Sequence, residues 1–348
     1  MDFQPELPLH IDATQRSCFV SCPQKFYKEF VLGLRPPGLS IDLHAGACFA
    51  TALEETYRGI YSEGLSLEEA LVRAHAAFCL AWGDFEIPTW KRTAKTMDRV
   101  WTAIAGGICD EDRGYFQEYP PHTDEVKPFM KADGTPTMEY TFAIPLEPCA
   151  PNYDTTYDAV RTKKDYQSGL FPCHPSGQPF LYCGRFDLLG QRASRPEWVI
   201  PRDEKTTGSS IGADWTSKWK LRSQFIGYVW ALQQCGFKCD EICVRGISIL
   251  KTKIVHAQDI QTYSQALIAR WHEQLRRDLW RIRRCWDEGY WDFDLAEACT
   301  AYGNCIFMDS CTSGDPLQWL SEMEVRRWNP LYKNPAQVED PSKAGALG

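Results

Sequence analysis

No apolar stretch in this 348-residue chain approaches the roughly 20 residues that a membrane-spanning helix needs, so no helical membrane span is expected. The opening Met1-Asp2-Phe3-Gln4-Pro5 has neither a basic segment nor a greasy core. No secretion signal is read there, and a cytoplasmic location is expected. No Walker A loop is present, so any ATPase activity has to come from a partner. No internal repeat is found. Basic charge is in deficit: 38 Lys and Arg face 46 Asp and Glu, for a formal net charge of −8. That balance argues against a uniformly basic nucleic-acid binder but leaves room for a local basic groove.

What the chain does have is apolar mass and sulfur. Hydrophobic residues make up 44% and aromatics 13%, including 13 Trp, enough for a sizeable core with many large anchors. The length fits one elaborated domain or two. Fifteen cysteines are many, and odd in number. Without a secretion signal, metal binding or simple burial is a better account of them than disulfides.

The organisation reads in four parts. Residues 1–130 form a helical N-terminal region, with a helix from Leu43 to Tyr61 and a proline-rich connector at 120–136. Residues 131–255 form a strand-rich core that begins near Met138. It includes a long loop at 148–179, an amphipathic helix from Trp219 to Gln234 and a strand from Ile242 to Leu250. Residues 256–328 hold a long helix at 258–288, on which Tyr263, Leu267, Trp271, Leu275, Leu279, Ile282 and Trp286 recur at steps of four and three, followed by a cysteine cluster. Residues 329–348 read as a flexible polar tail.

The core carries the chemistry. Tyr182-Cys183-Gly184-Arg185-Phe186-Asp187-Leu188-Leu189 and Trp198-Val199-Ile200-Pro201-Arg202-Asp203-Glu204-Lys205-Thr206 both read as strands ending in acid. Asp203 and Lys205 are two apart and share one face of a strand, while Glu204 points to the other. Two carboxylates and an ammonium at one sheet edge are costly to desolvate, and a bound divalent cation offsets that cost. This is the chemistry of metal-dependent phosphodiester cleavage.

These residues carry a resemblance. Gly184-x-x-Asp187, then Asp203-Glu204-Lys205-Thr206, then Gln224-x-x-x-Tyr228 resembles the RecB-type branch of the PD-(D/E)XK nucleases. Cys22-Pro23 and the run from Leu43 to Glu54 fit that branch's opening motifs, so the likeness spans roughly residues 14–311. The resemblance implies a restriction-endonuclease-like α/β core, with a small mixed sheet flanked by helices, a helical N-terminal insert and a C-terminal iron–sulfur lid. It also implies a metal-dependent DNA nuclease, an exonuclease on DNA ends or single strands, in recombination, repair or phage DNA processing. A helicase or recombination protein is the implied partner, and a bacterial or phage-infected cell the implied setting. Asp187 and Asp203 would hold Mg²⁺ or Mn²⁺ with Glu139 nearby. Lys205 would orient the attacking water and offset developing charge. Gln224 and Tyr228, four apart on one helical face, would touch the substrate or steady Lys205, with simple packing of an amphipathic core helix as the alternative. The family's first conserved helix carries Gly-x-x-x-His, with a metal-binding imidazole. Here Gly46-Ala47-Cys48-Phe49-Ala50 puts Ala50 in its place, with Glu54 at the family spacing. His44 lies about 240° away around an ideal helix and is a poor substitute.

Cys299-x5-Cys305-x5-Cys311 matches the C-terminal trio of the family's iron–sulfur nucleases, and Cys22 the single N-terminal ligand, with Cys18 as its rival. Four thiolates suit a [4Fe–4S] cluster. Zinc, which favours Cys-x2-Cys knuckles absent here, and unligated thiols are the alternatives. Cys235, Cys239 and Cys243 read as a second site or as buried small hydrophobes. For substrate contact, Arg185, Arg202, Lys218, Lys220 and Arg222 flank the acid–lysine set. Trp215 and Trp219 could stack bases or pack in the core. The six arginines between Arg270 and Arg284 could meet phosphates or form a solvated face. Two further readings stand beside the DNA nuclease. One is a silent DNA-binding scaffold that lost its metal through Ala50. The other is a nuclease acting on RNA or on both nucleic acids.

Overall fold

A computed structural model describes residues 5–88, 91–149, 169–295, 297–300, 304–313, 318–319 and 322–332. Along the chain come β1 (His10–Ile11), α1 (Ala13–Ser21), α2 (Pro23–Phe26), a π-helical turn (Tyr27–Val31) and β2 (Leu34–Arg35). Next are α3 (Ile41–Glu63), α4 (Leu67–Trp82), α5 (Met97–Ala105), α6 (Tyr115–Glu118), β3 (Val126–Pro128) and β4 (Met138–Pro145). Then follow β5 (Leu181–Arg192), β6 (Arg195–Thr207), a 3-10 segment (Ala213–Trp219), α7 (Ser223–Gln234), β7 (Glu241–Ile249) and β8 (Ile254–Thr262). The last are α8 (Gln265–Glu288), α9 (Met308–Thr312) and β9 (Glu324–Val325). No helix among the described residues is long and apolar enough to cross a membrane.

The chain divides into two compact units, neither continuous in sequence. One draws on described residues of Met1–Gly38, Thr141–Arg185 and Ala266–Gly348, the other on Leu39–Tyr140 and Phe186–Gln265. The cuts expected at 130 and 255 therefore differ from the unit boundaries. Residues 39–130 cluster with the sheet, because their apolar faces have their partners there, and apart from residues 5–38.

The second unit is a mixed sheet flanked by helices. β5 runs antiparallel to β6, with Leu188 opposite Arg202 and Gly190 opposite Ile200. β6 runs parallel to β7, with Asp203 opposite Val244 and Lys205 opposite Gly246. β8 returns antiparallel to β7. The parallel β6–β7 pair needs a crossover, and α7 supplies it. β7 lies between two neighbours, so all of it but Glu241 is buried, Arg245 and Ser248 included. Gly246 leaves room for the Trp215 ring: a Cβ there would sit 2.5 Å from that ring. The long α3 begins at the Ser40 cap and ends at Gly64, whose φ of +70° suits glycine. Its inward face carries Ala45, Cys48, Phe49, Ala52, Leu53 and Tyr57, which pack with Phe78, Val100, Ile104, Leu188, Ile247 and Ile249.

Three local expectations change. The helix expected from 258 begins at Gln265, because Ile254–Thr262 pairs along its whole length with β7. The helical period starts only at Tyr263. The connector at 120–136 contains β3, which pairs Val126–Pro128 with Arg192–Gly190. Most of the loop expected at 148–179 (residues 150–168) and most of the expected tail (333–348) lie outside the described residues.

In the first unit, Arg16 on α1 donates to Asp278 on α8 at 2.8 Å, both nearly inaccessible. Phe19, Phe26, Tyr27 and Trp291 form an aromatic cluster beside them. Asp12 caps α1, accepting from the Gln15 amide at 2.7 Å and from Trp328 Nε1 at 2.9 Å. Burial lifts its carboxyl to about 6, against the opposing pull of those hydrogen bonds. A raised acid favours the folded state while protonated, and that advantage is lost as pH climbs from about 4 through about 6. Asp12→Asn is thus expected to gain up to about 3 kcal/mol relative to wild type between pH 4 and pH 7, measured by urea unfolding at each pH.

Candidate active site

The β5–β6 register determines what stands together. Leu188 pairs with Arg202, so one further step along the antiparallel ladder sets Asp187 across from Asp203. Lys205 Nζ lies 2.6 Å from Asp203 Oδ1. The Asp187 carboxylate accepts from the Glu204 backbone amide at 2.8 Å. From α7, Gln224 Nε2 reaches Asp203 Oδ2 at 3.4 Å and the Tyr228 hydroxyl at 2.9 Å. The Tyr228 ring meets Phe186 edge-on at 4.7 Å, and Lys205 Nζ sits 5.7 Å from the Phe225 ring centroid. Asp187, Asp203, Lys205, Gln224 and Tyr228 are therefore brought together within this unit.

Electrostatics at the cluster is that of crowded acids. Burial, then the charges of Asp203, Glu204 and Glu139, push Asp187 well above the usual carboxylate range, with Lys205 opposing. Burial raises Asp203 too, against Lys205 and Arg222. Lys205 is pulled down by burial, but Asp203 and Asp187 outweigh this and hold it above its ordinary value. The lysine stays charged and the acids are short of positive charge. A cation entering here would relieve that deficit.

Beside the cluster is a cavity of 240 Å³. Glu139, Asp187 and Lys205 line one part of it, and Asp42, Gly46 and Ala50 of α3 another. Glu139 has a φ of +49°, a left-handed conformation that costs a non-glycine residue about 1 kcal/mol or more. Ala50 stands on the cavity wall and offers no donor atom, while Glu54 is engaged by Arg58 at 2.7 Å. Among the described residues, no three His, Cys, Asp or Glu side chains are close enough, as they stand, to hold a metal ion. Lys205 occupies the approach to Asp203.

The side chain of Glu204 is bound elsewhere. Its Oε1 accepts from Tyr115 at 2.7 Å and from Arg202 Nε at 2.6 Å. Arg245 donates to Tyr115 at 2.8 Å, and Asp124 receives both Arg245 and Arg202. Both arginines are fully buried. Arg202, expected near substrate phosphates, is instead a core residue, because alternation along β6 turns it away from Asp203. Sequence reading missed Tyr115, Asp124 and Arg245; the one signal was a basic residue inside each of two apolar strands. Arg202→Met is expected to destabilise the fold by about 3–5 kcal/mol, since it strands the buried Glu204 without its counter-ion and leaves Asp124 only Arg245. Denaturant unfolding measures this.

The other substrate candidates scatter. Arg222 is exposed at the start of α7, close enough to pull Asp203 down. Arg185, in the first unit, donates to the Tyr332 carbonyl at 2.8 Å. Trp215 and Trp219 are 6% and 9% exposed and pack on each other at 5.2 Å, so their faces are occupied by protein. On α8, Arg276 and Arg283 are buried anchors for the Leu170 and Cys173 carbonyls. Arg277, Arg281 and Arg284 are exposed beside Glu273, Asp278 and Glu288.

The cysteine set belongs to the first unit. Cys22 lies between α1 and α2, where Pro23 starts the next helix. The Cys305 amide donates to the Cys299 carbonyl at 2.8 Å. Burial, then Cys305, Cys22 and Cys311, raise the Cys299 thiol. Cys18 faces the Glu29 carboxylate, its Sγ 3.9 Å away, and also feels Cys22 and Cys305. Among the described residues these cysteines form no group placed, as they stand, to hold a metal ion. Cys239 and Cys243 are buried and Cys235 is exposed, with no shared centre among them.

No protein-family model matches the chain, and no curated protein matches it. Among solved structures, it is similar to a Eubacterium rectale protein described as a candidate exonuclease, at 11% identity and a TM-score of 0.43, over 88% of this chain and 93% of that one. It is also similar to SSO0001, at 14% identity and a TM-score of 0.21, over 39% of this chain and 47% of the other.

Proposed function

We propose that the second unit is a divalent-metal-dependent nuclease that hydrolyses DNA phosphodiester bonds, acting as an exonuclease on ends or single strands. One observation carries the reading: Asp187, Asp203 and Lys205 meet on adjacent strands beside a cavity that Glu139 also lines. Asp187, Asp203 and Glu139 would hold Mg²⁺ or Mn²⁺, and a cation there polarises the phosphate and acidifies a bound water. Lys205 steers that water and offsets charge on the phosphate oxygens. Gln224, braced by Tyr228, fixes the Asp203 rotamer. Arg222 guides the strand toward the site. Cys22, Cys299, Cys305 and Cys311 would hold a [4Fe–4S] cluster in the first unit, in a structural role.

The test is degradation of end-labelled DNA, single-stranded and duplex, in Mg²⁺ or Mn²⁺. Cleavage that stops on chelation supports the reading, and a matched RNA oligonucleotide sets the substrate class. Binding without cleavage under either metal supports a silent scaffold instead, the reading that Ala50 favours. Ala50→His, which adds an imidazole at the cavity wall, is expected to raise Mn²⁺ affinity by about 10–100-fold with a smaller effect on Mg²⁺, measured by calorimetric titration.

A further inference from the structure

We infer that Lys28 is a positioning residue for the cysteine site: it supplies the positive charge that balances Cys311 and sets how readily a cluster held there takes up an electron. The inference rests on the cluster reading above. Lys28 lies on the π-helical turn that follows Cys22, and is 5% exposed. Its ammonium donates to Cys311 Sγ at 3.0 Å and to Ser310 Oγ at 2.9 Å, and lies 5.8 Å from the Phe307 ring centroid. Among the described residues no carboxylate pairs with it; the neighbouring Glu29 is taken by Arg35 at 3.1 Å.

A buried ammonium needs an anion or strong acceptors. A hydroxyl, an aromatic face and a neutral thiol are weak compensation, since a thiol sulfur accepts poorly. A metal-bound thiolate would be a stronger acceptor for the ammonium than any of these. The contact also joins the segment holding Cys22 to the one holding Cys305 and Cys311, across 283 residues of sequence. Positive charge and hydrogen bonds at cluster sulfurs favour the state with the extra electron. Lys28 thus raises the midpoint potential of the one-electron couple, the electron coming from an external reductant such as dithionite or an electrode.

Protein purified anaerobically is assayed first for iron and acid-labile sulfide, then its midpoint potential is measured by film voltammetry. Lys28→Met with full iron content is expected to shift the one-electron equilibrium at least tenfold toward the oxidised state, a fall of about 59 mV. Lys28→Arg should fall less, and Ser310→Ala, which removes only the neutral partner, should leave the potential unchanged. An unchanged potential in iron-replete Lys28→Met or, where that variant fails to fold, in Lys28→Gln overturns the role of Lys28. Wild-type protein without iron and sulfide overturns the cluster reading itself, and the first assay alone distinguishes this failure.

Discussion

Lys205→Ala is expected to lower the single-turnover rate of Mg²⁺-dependent DNA cleavage by about 100–1000-fold, the scale set by losing one preorganised charge donor at the reacting group. Metal affinity should not fall with it. The ammonium sits 2.6 Å from Asp203, where it competes with an incoming cation for the same oxygen, so its removal should leave Mg²⁺ binding unchanged or tighter. Asp203→Asn should show the opposite pattern, with metal affinity lost first and rate regained only at high Mg²⁺. Rapid-quench kinetics and calorimetry on the two variants separate these effects. Equal loss of affinity in both would mean that Lys205 merely holds the strand together, and that the assigned chemistry is wrong.

On the proposed cluster assignment, Cys305→Ser is expected to release the iron and to lower the stability of the first unit by about 5 kcal/mol, the order of the entropy gained when a very long loop is no longer closed. Cys22 and Cys299 are 277 residues apart in sequence, so an unclipped chain has far more freedom to lose on folding. Thermal unfolding followed by near-ultraviolet dichroism should show the corresponding transition move down by about 10–20 °C. The same substitution at Cys18, whose sulfur faces Glu29, should keep the iron.

What the sequence made legible was local. Asp203 and Lys205 share a face because strands alternate, and Gln224 and Tyr228 share one because helices turn every 3.6 residues; both relations hold wherever the elements end up. The long α3 could be read from its apolar stripe and its caps. Partners distant in sequence could not be read. Glu204 meets Tyr115 across 89 residues, and Arg245 meets Tyr115 across 130, so a charged strand residue that looks solvent-bound in sequence can be core in space. Trp215 and Trp219 were ambiguous for the same reason: whether an indole faces water depends on what the chain lays over it. The late start of α8 escaped notice because a polar strand and a helix run together at Tyr263, with no proline or glycine to mark the join.

Strand β6 has two allegiances. Its odd-numbered residues 203 and 205 face the acids, while residues 202 and 204 are anchored in a sealed lattice of arginines and tyrosines, and the amide of Glu204 grips Asp187. Residues 202–205 should therefore be inherited as a block. A change at one of the four is expected to cost folding or turnover until a second change compensates.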